Sequence, residues 1–172
     1  EKHKILETQY VGYPYPHIEP ESMDDVLKIV EDLNKAGKTF SDAGLKMVYH
    51  NHDLEFQRFD GRIALEVIYE KTKPEYLLAE PDTYWIQNGG CCVVDWMEKL
   101  KGRMPVLHMK DYGMVGKNEN AIFSIGEGNL DWKKICTAAE ASGCEWYVVE
   151  HDGGTFESLE RSFKYISENL VD

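Results

Sequence analysis

Short apolar runs that alternate with amphipathic segments constrain the fold of this 172-residue chain more than any other feature. Each run is short enough for a strand, and each is followed by a segment with the 3.6-residue periodicity of a helix. This order predicts a parallel sheet covered by helices. The predicted strands are residues 8–13, 45–50, 76–80, 105–109 and 145–150, and the predicted helices are 22–44, 63–72, 92–101, 129–142 and 155–170.

The connections between these elements contain glycine and proline but no segment with the composition of a linker. We expect an irregular loop from Pro14 to Pro20, a loop through Asp60-Gly61, and a long polar loop over residues 113–128. The chain is therefore interpreted as a single domain over residues 1–172.

Four of the predicted strands end in side chains that bind metals or transfer protons. Since parallel strands place ligands at their carboxyl ends, we expect these groups to converge on one site. Histidine nitrogen and carboxylate oxygen together suit Mn²⁺, Co²⁺, Mg²⁺ or Zn²⁺. No cysteine stands among these candidate ligands, which argues against a structural zinc site. The candidate metal ligands are His50, Glu55, Asp82, His108 and Glu150.

Neighbouring residues indicate how a substrate would be held. His52 projects to the same side as His50 if the strand continues, roughly 6–7 Å away. Lys110 shares a side with His108 and could polarise a substrate oxygen. Tyr84-Trp85 could form an aromatic wall for a sugar.

Each of these residues also has a structural alternative. Asp82 could cap a turn, and Glu150 could pair with Lys110. His108 could hydrogen-bond a neighbouring strand. His50 and Tyr84-Trp85 could belong to the core.

The charge and composition of the chain argue against nucleic acid and membranes as partners. A formal net charge of −12 repels nucleic acid and gives no general attraction to an anionic membrane. No apolar run approaches the roughly 20 residues of a membrane span. The four cysteines form no Cys-x-x-Cys pair, and we interpret them as reduced thiols in a cytoplasmic protein.

The chain resembles the sugar phosphate isomerase/epimerase family, whose fold is the xylose isomerase-like TIM barrel and whose relatives include inosose dehydratases and ketose 3-epimerases. The motifs appear in family order between about residues 8 and 170. The resemblance is carried by Tyr49-His50-Asn51-His52-Asp53-Leu54-Glu55-Phe56, Asp82-Thr83-Tyr84-Trp85, His108-Met109-Lys110-Asp111, Gly126-Glu127-Gly128-Asn129-Leu130-Asp131-Trp132 and Val149-Glu150-His151-Asp152.

The resemblance implies a divalent metal held by Glu, Asp, His and Glu on four barrel strands. Asp82, His108 and Glu150 match the last three positions. His50 stands where the epimerases have glutamate, and Glu55 is the nearest carboxylate. A TIM barrel has eight βα units in about 250 residues. We therefore expect a barrel reduced to about five C-terminal βα units, with the N-terminal strands absent.

The implied activity is that of a metal-dependent sugar (phosphate) isomerase/epimerase or dehydratase, which moves a proton beside an oxygen of a keto-sugar or polyol. His52, Glu150 and Lys110 are the candidate catalytic residues, and His52, Tyr84, Trp85 and Lys110 are the candidate substrate contacts. The alternative is a non-catalytic sugar-binding or assembly remnant, and a homo-oligomer is possible. The superfamily also contains abasic-site endonucleases, but the acidic charge argues against that activity.

Overall fold

The computed structural model describes residue 5 and residues 7–171. Within these residues, strands and helices alternate in two compact units, one extending to Glu80 and the other beginning at Pro81. Both units contain parallel strand pairs, so the predicted α/β class with parallel strands is confirmed. None of the helices described has the length and apolar character needed to cross a membrane.

The first unit is built on a three-stranded parallel sheet with β2 (Lys46–His50) at its centre. β2 pairs with β1 (Tyr10–Tyr13) on one side and with β5 (Leu78–Glu80) on the other. The last four residues of β2 are buried, as is usual for parallel strands, whose sheets are covered on both faces. The strand therefore ends at His50, where the candidate ligands begin.

Among its described residues, the first unit also contains the helices α1 (Met23–Asp42) and α2 (Ala64–Lys71). The predicted Ser22 cap is confirmed, since its hydroxyl accepts a hydrogen bond from the backbone N–H of Asp25. Gly37 lets α1 pack closely against the backbone at Tyr76, because an added Cβ would lie 2.2 Å from the Tyr76 carbonyl oxygen.

The predicted loop through Asp60-Gly61 is a short antiparallel hairpin of β3 (Arg58–Phe59) and β4 (Arg62–Ile63). Asp60 and Gly61 have φ angles of 50° and 79°, the backbone that such tight turns require. A 3₁₀ turn, Leu54–Phe56, precedes the hairpin.

The second unit contains the parallel pair β6 (Val106–Met109) and β9 (Trp146–Val149), with His108 opposite Val148. The helix α5 (Trp132–Ala141) packs against the helix α4 (Val93–Lys99), and their buried residues include Trp96, Met97 and Ile135. The helices of this unit are α3 (Thr83–Asn88), α4 (Val93–Lys99), α5 (Trp132–Ala141) and α6 (Phe156–Asn169).

The prediction of a long polar loop over residues 113–128 is wrong for residues 113–123. Residues 111–123 form an antiparallel hairpin of β7 (Asp111–Gly116) and β8 (Glu119–Phe123). Phe123 packs over Gly113, where an added Cβ would lie 2.6 Å from its ring. Short helix α3 was also not predicted, because its six residues are too few to show a helical period.

Apolar side chains remain exposed on β9 and α6. Trp146 is 61% exposed, and Phe156 and Phe163 are each 73% exposed. Among the parallel strands described, β1, β5, β6 and β9 each pair with one neighbour only.

Candidate metal and substrate site

Asp82 precedes α3, and its two carboxylate oxygens have different neighbours. Oδ1 accepts a hydrogen bond from the backbone N–H of Trp85 at 3.1 Å and so caps the helix. Oδ2 lies 3.3 Å from Lys110 Nζ and 3.8 Å from His108 Nδ1. The predicted capping alternative is therefore correct, and it leaves the second oxygen facing the other candidate groups.

The ends of β6 and β9 bring two further candidate ligands to Asp82. The N–H of His108 donates to Pro81 O at 3.0 Å, and the N–H of Glu150 donates to Met109 O at 3.1 Å. Potential ligand atoms of Asp82, His108 and Glu150 lie within 4.8 Å of one another. The convergence expected from strand order is present in the second unit.

Lys110 lies among these carboxylates and is only 1% exposed. Its Nζ lies 2.5 Å from Glu150, 2.9 Å from Asp152 and 3.3 Å from Asp82. The predicted Lys110–Glu150 ion pair is thus present. Burial alone would lower the pKa of Lys110, but the carboxylates outweigh it and raise that pKa above its usual value.

The charges and donor atoms of this cluster fit a divalent cation. Burial raises the pKa of Asp82 to about 7, even though Lys110 and the N–H of Trp85 stabilise its carboxylate form. The carboxyl groups of Asp82, Glu150 and Asp152 face the ammonium of Lys110. A divalent ion bound by oxygen and imidazole nitrogen would stabilise the ionised form of Asp82 and offset the negative charge of the carboxylates.

The first unit contains the remaining predicted ligands. His50 is buried at the end of β2, and its ring centroid is 4.8 Å from that of His52. Glu55 is also buried: Oε1 accepts from Tyr49 Oη at 2.8 Å and Oε2 accepts from the N–H of His52 at 2.9 Å. Burial raises the pKa of Glu55, while these hydrogen bonds act in the opposite direction. Both Glu55 oxygens thus fix the turn that carries His52.

The two predicted aromatic contacts have different surroundings. Tyr84 is buried, and its hydroxyl donates to Asn120 Oδ1 at 2.7 Å, which attaches the β7–β8 hairpin to α3. The ring of Trp85 lies beside the charged cluster, with Lys110 Nζ 5.5 Å from its centroid. Trp85 is therefore the better placed of the two to contact a ligand.

Comparisons with known proteins identify the fold. No family model matches the sequence. A sugar phosphate isomerase/epimerase from Parabacteroides distasonis ATCC 8503 is 29% identical, with a TM-score of 0.83 over 98% of this chain and 60% of that one. A xylose isomerase domain protein from Planctomyces limnophilus is 15% identical, with a TM-score of 0.74 over 96% of this chain and 59% of that one.

The chain has a xylose isomerase-like fold. An inosose dehydratase from Geobacillus thermodenitrificans (strain NG80-2) is 24% identical over 161 residues, which cover 81% of this chain and 53% of the dehydratase. The predicted resemblance to sugar phosphate isomerases/epimerases and inosose dehydratases is therefore confirmed. The chain spans only about half to three fifths of the length of these relatives.

Asp111 is an organising residue that the sequence did not reveal. Its buried carboxylate accepts hydrogen bonds from the N–H groups of Gly126 at 2.8 Å and Gly128 at 3.1 Å, and from Trp132 Nε1 at 2.8 Å. An alanine Cβ at Gly128 would lie 2.4 Å from Asp111 Oδ1. The Gly126-Glu127-Gly128 loop therefore binds the Asp111 carboxylate through its backbone N–H groups.

Asp152 was also not assigned a role from sequence, yet its carboxylate is 2.9 Å from Lys110 Nζ. The available signal was its spacing, two residues after Glu150 at the end of a strand. That spacing is compatible with two side chains facing the same way.

Proposed function

We propose that this xylose isomerase-like chain carries the metal and proton-transfer site of a sugar isomerase, epimerase or dehydratase. The observation that carries the proposal is the convergence of Asp82, His108 and Glu150 around buried Lys110. The names of the relatives, a sugar phosphate isomerase/epimerase and an inosose dehydratase, support a keto-sugar or polyol as substrate.

Asp82, His108 and Glu150 would hold the metal, which we propose to be Mn²⁺, Co²⁺, Mg²⁺ or Zn²⁺. His50 and Glu55 remain the predicted alternatives for a fourth ligand. Of the two, Glu55 already has a hydrogen-bond donor on each oxygen. When bound, a divalent ion polarises a carbonyl or hydroxyl oxygen and so acidifies the neighbouring C–H.

The protein groups would orient the sugar and move the proton. Lys110 would bind a substrate oxygen, since its ammonium is held in place by carboxylates. Glu150 is 38% exposed and could exchange a proton with a bound ligand, whereas Asp82 is fully buried. His52, with Trp85 and Tyr84, would contact the sugar. A single domain, a cytoplasmic location and a homo-oligomer remain predictions.

Metal binding and turnover should be measured on the same protein samples. We expect about one equivalent of Mn²⁺ per chain by calorimetry in the wild type. Asp82→Asn, which keeps a capping oxygen, and His108→Ala should abolish that binding. Asp95→Asn removes an exposed carboxylate elsewhere in the second unit and serves as the control.

Unchanged Mn²⁺ binding in Asp82→Asn and His108→Ala would refute the ligand assignment. Turnover would be sought by following proton exchange between solvent D₂O and keto-sugars or inososes by NMR. Metal and sugar binding without any exchange would instead support the non-catalytic alternative.

A further inference from the structure

We propose that Thr83 is a positioning residue, whose hydroxyl fixes the backbone of Lys110 beside Asp82. The inference rests on the proposed metal site, because it concerns how two of its groups are held together. The Thr83 hydroxyl bonds to backbone atoms, those of Lys110 and, weakly at 3.4 Å, the carbonyl oxygen of His108.

The hydroxyl of Thr83 engages both backbone polar groups of Lys110. Its Oγ1 accepts a hydrogen bond from the Lys110 N–H at 3.0 Å and donates to the Lys110 carbonyl oxygen at 2.7 Å. A hydroxyl has one hydrogen and two lone pairs, so it can make both bonds at once. Thr83 is fully buried, so water does not replace these bonds readily.

This arrangement lies next to a single parallel bridge. Asp82 and His108 form an isolated β-bridge, outside the strand pairs described above. Beyond it the chain turns into α3, which begins at Thr83. The Thr83 hydroxyl therefore supplies the partners that a continuing strand would have offered to Lys110.

The consequence for the site follows from the order of residues. Thr83 adjoins Asp82, and Lys110 lies two residues after His108. One hydroxyl thus links the chain segments that present both candidate ligands. It also holds the base of the side chain whose ammonium contacts Asp82 and Glu150. Partners that hydrogen-bond directly to metal-ligating side chains typically change metal affinity by about 10–100-fold when replaced, and Thr83, which bonds to backbone beside the ligands, should lie at the lower end of that range.

Two substitutions separate the hydroxyl from the rest of the side chain. Thr83→Val keeps the shape but removes the hydroxyl, whereas Thr83→Ser keeps the hydroxyl. Thr72→Val is a matched control, because Thr72 is also buried and its hydroxyl donates to Ile68 O at 2.7 Å in the first unit. A general loss of stability would appear in Thr72→Val as well.

The first readout is Mn²⁺ affinity by calorimetry. Thr83→Val should weaken binding by about 10-fold, while Thr83→Ser and Thr72→Val should bind like the wild type. The second readout needs no metal: acetylation of Lys110 by a water-soluble N-hydroxysuccinimide ester, followed by mass spectrometry. Lys110 should react slowly in the wild type and in Thr83→Ser, and faster in Thr83→Val.

Wild-type affinity and wild-type labelling in Thr83→Val would overturn the proposal. So would equal effects in Thr83→Ser, or in Thr72→Val, because the hydroxyl or its location would then be irrelevant. If the wild type binds no Mn²⁺, the proposed metal site fails. Labelling of Lys110 would then still decide whether Thr83 positions it.

Discussion

Asp111→Asn should destabilise the second unit severely, because the buried Asp111 carboxylate accepts the hydrogen bonds that fix the Gly126-Glu127-Gly128 loop. Oδ2 accepts three hydrogen bonds, from the N–H groups of Gly126 and Gly128 and from Trp132 Nε1. Oδ1 accepts from the N–H of Tyr112 at 2.9 Å and, weakly, from that of Leu130 at 3.4 Å. Asparagine replaces one of these oxygens by an NH₂ group, and in either orientation that NH₂ group faces N–H donors.

The magnitude follows from the better of the two amide orientations. If the asparagine oxygen faces the three donors on the Oδ2 side, each of those bonds loses its charge assistance, about 1 kcal/mol apiece. The N–H of Tyr112 then faces an NH₂ group and loses its acceptor, which costs about 1–3 kcal/mol. The expected loss in the free energy of unfolding is therefore about 4 kcal/mol or more, out of a typical total of about 5–15 kcal/mol.

Urea unfolding of the metal-free protein, followed by circular dichroism and by tryptophan fluorescence, would measure this loss. The thermal midpoint should fall by about 8–16 °C for a chain of this size. Asp131→Asn is the matched control, because Asp131 Oδ1 caps α5 by accepting from the N–H of Lys134. Asparagine caps helices about as well as aspartate, so the control should change little. A loss below about 1 kcal/mol in Asp111→Asn would refute the account of the loop.

Two further substitutions and one chemical modification test other parts of the structure. Gly37→Ala should lower the urea midpoint despite the better helix propensity of alanine, because its Cβ would lie 2.2 Å from Tyr76 O. Phe163→Ser tests whether the predicted homo-oligomer forms through α6: if it does, the sedimentation coefficient should fall toward that of a monomer without a lower thermal midpoint, since the ring is 73% exposed. Burial raises the pKa of Cys136 to about 11. Only about one thiol in a thousand is then ionised at pH 8, so iodoacetamide should modify Cys136 far more slowly than exposed Cys92, and faster as pH rises toward 11.

The sequence revealed the elements whose burial pattern repeats over enough residues. Helix α1 has five buried positions at helical spacing, and β2 has four consecutive buried residues. Both were predicted within one or two residues at each end. These patterns arise from local sequence alone, so no tertiary information was needed to recognise them.

The β7–β8 hairpin and the role of Asp111 could not be recognised in that way. Hairpin residues 111–123 carry polar side chains and glycines that also suit an irregular loop, and pairing is decided by contacts such as Phe123 on Gly113. Asp111 meets partners 15 to 21 residues later in the chain. A single sequence does not show which of its aspartates will be buried among such partners.

The candidate site shows why structural and functional interpretations of one residue need not compete. Asp82 was open to interpretation as a cap or as a ligand, and its two oxygens allow both. The cap immobilises the carboxylate by one oxygen, which orients the other toward Lys110 and His108. Glu150 likewise forms the ion pair expected of a structural residue while remaining partly exposed to a ligand. An ion pair that holds a carboxylate in place also lowers the entropy that this carboxylate must lose on binding a metal or sugar. The structural contacts at this strand end would therefore also prepare the proposed site for its ligand.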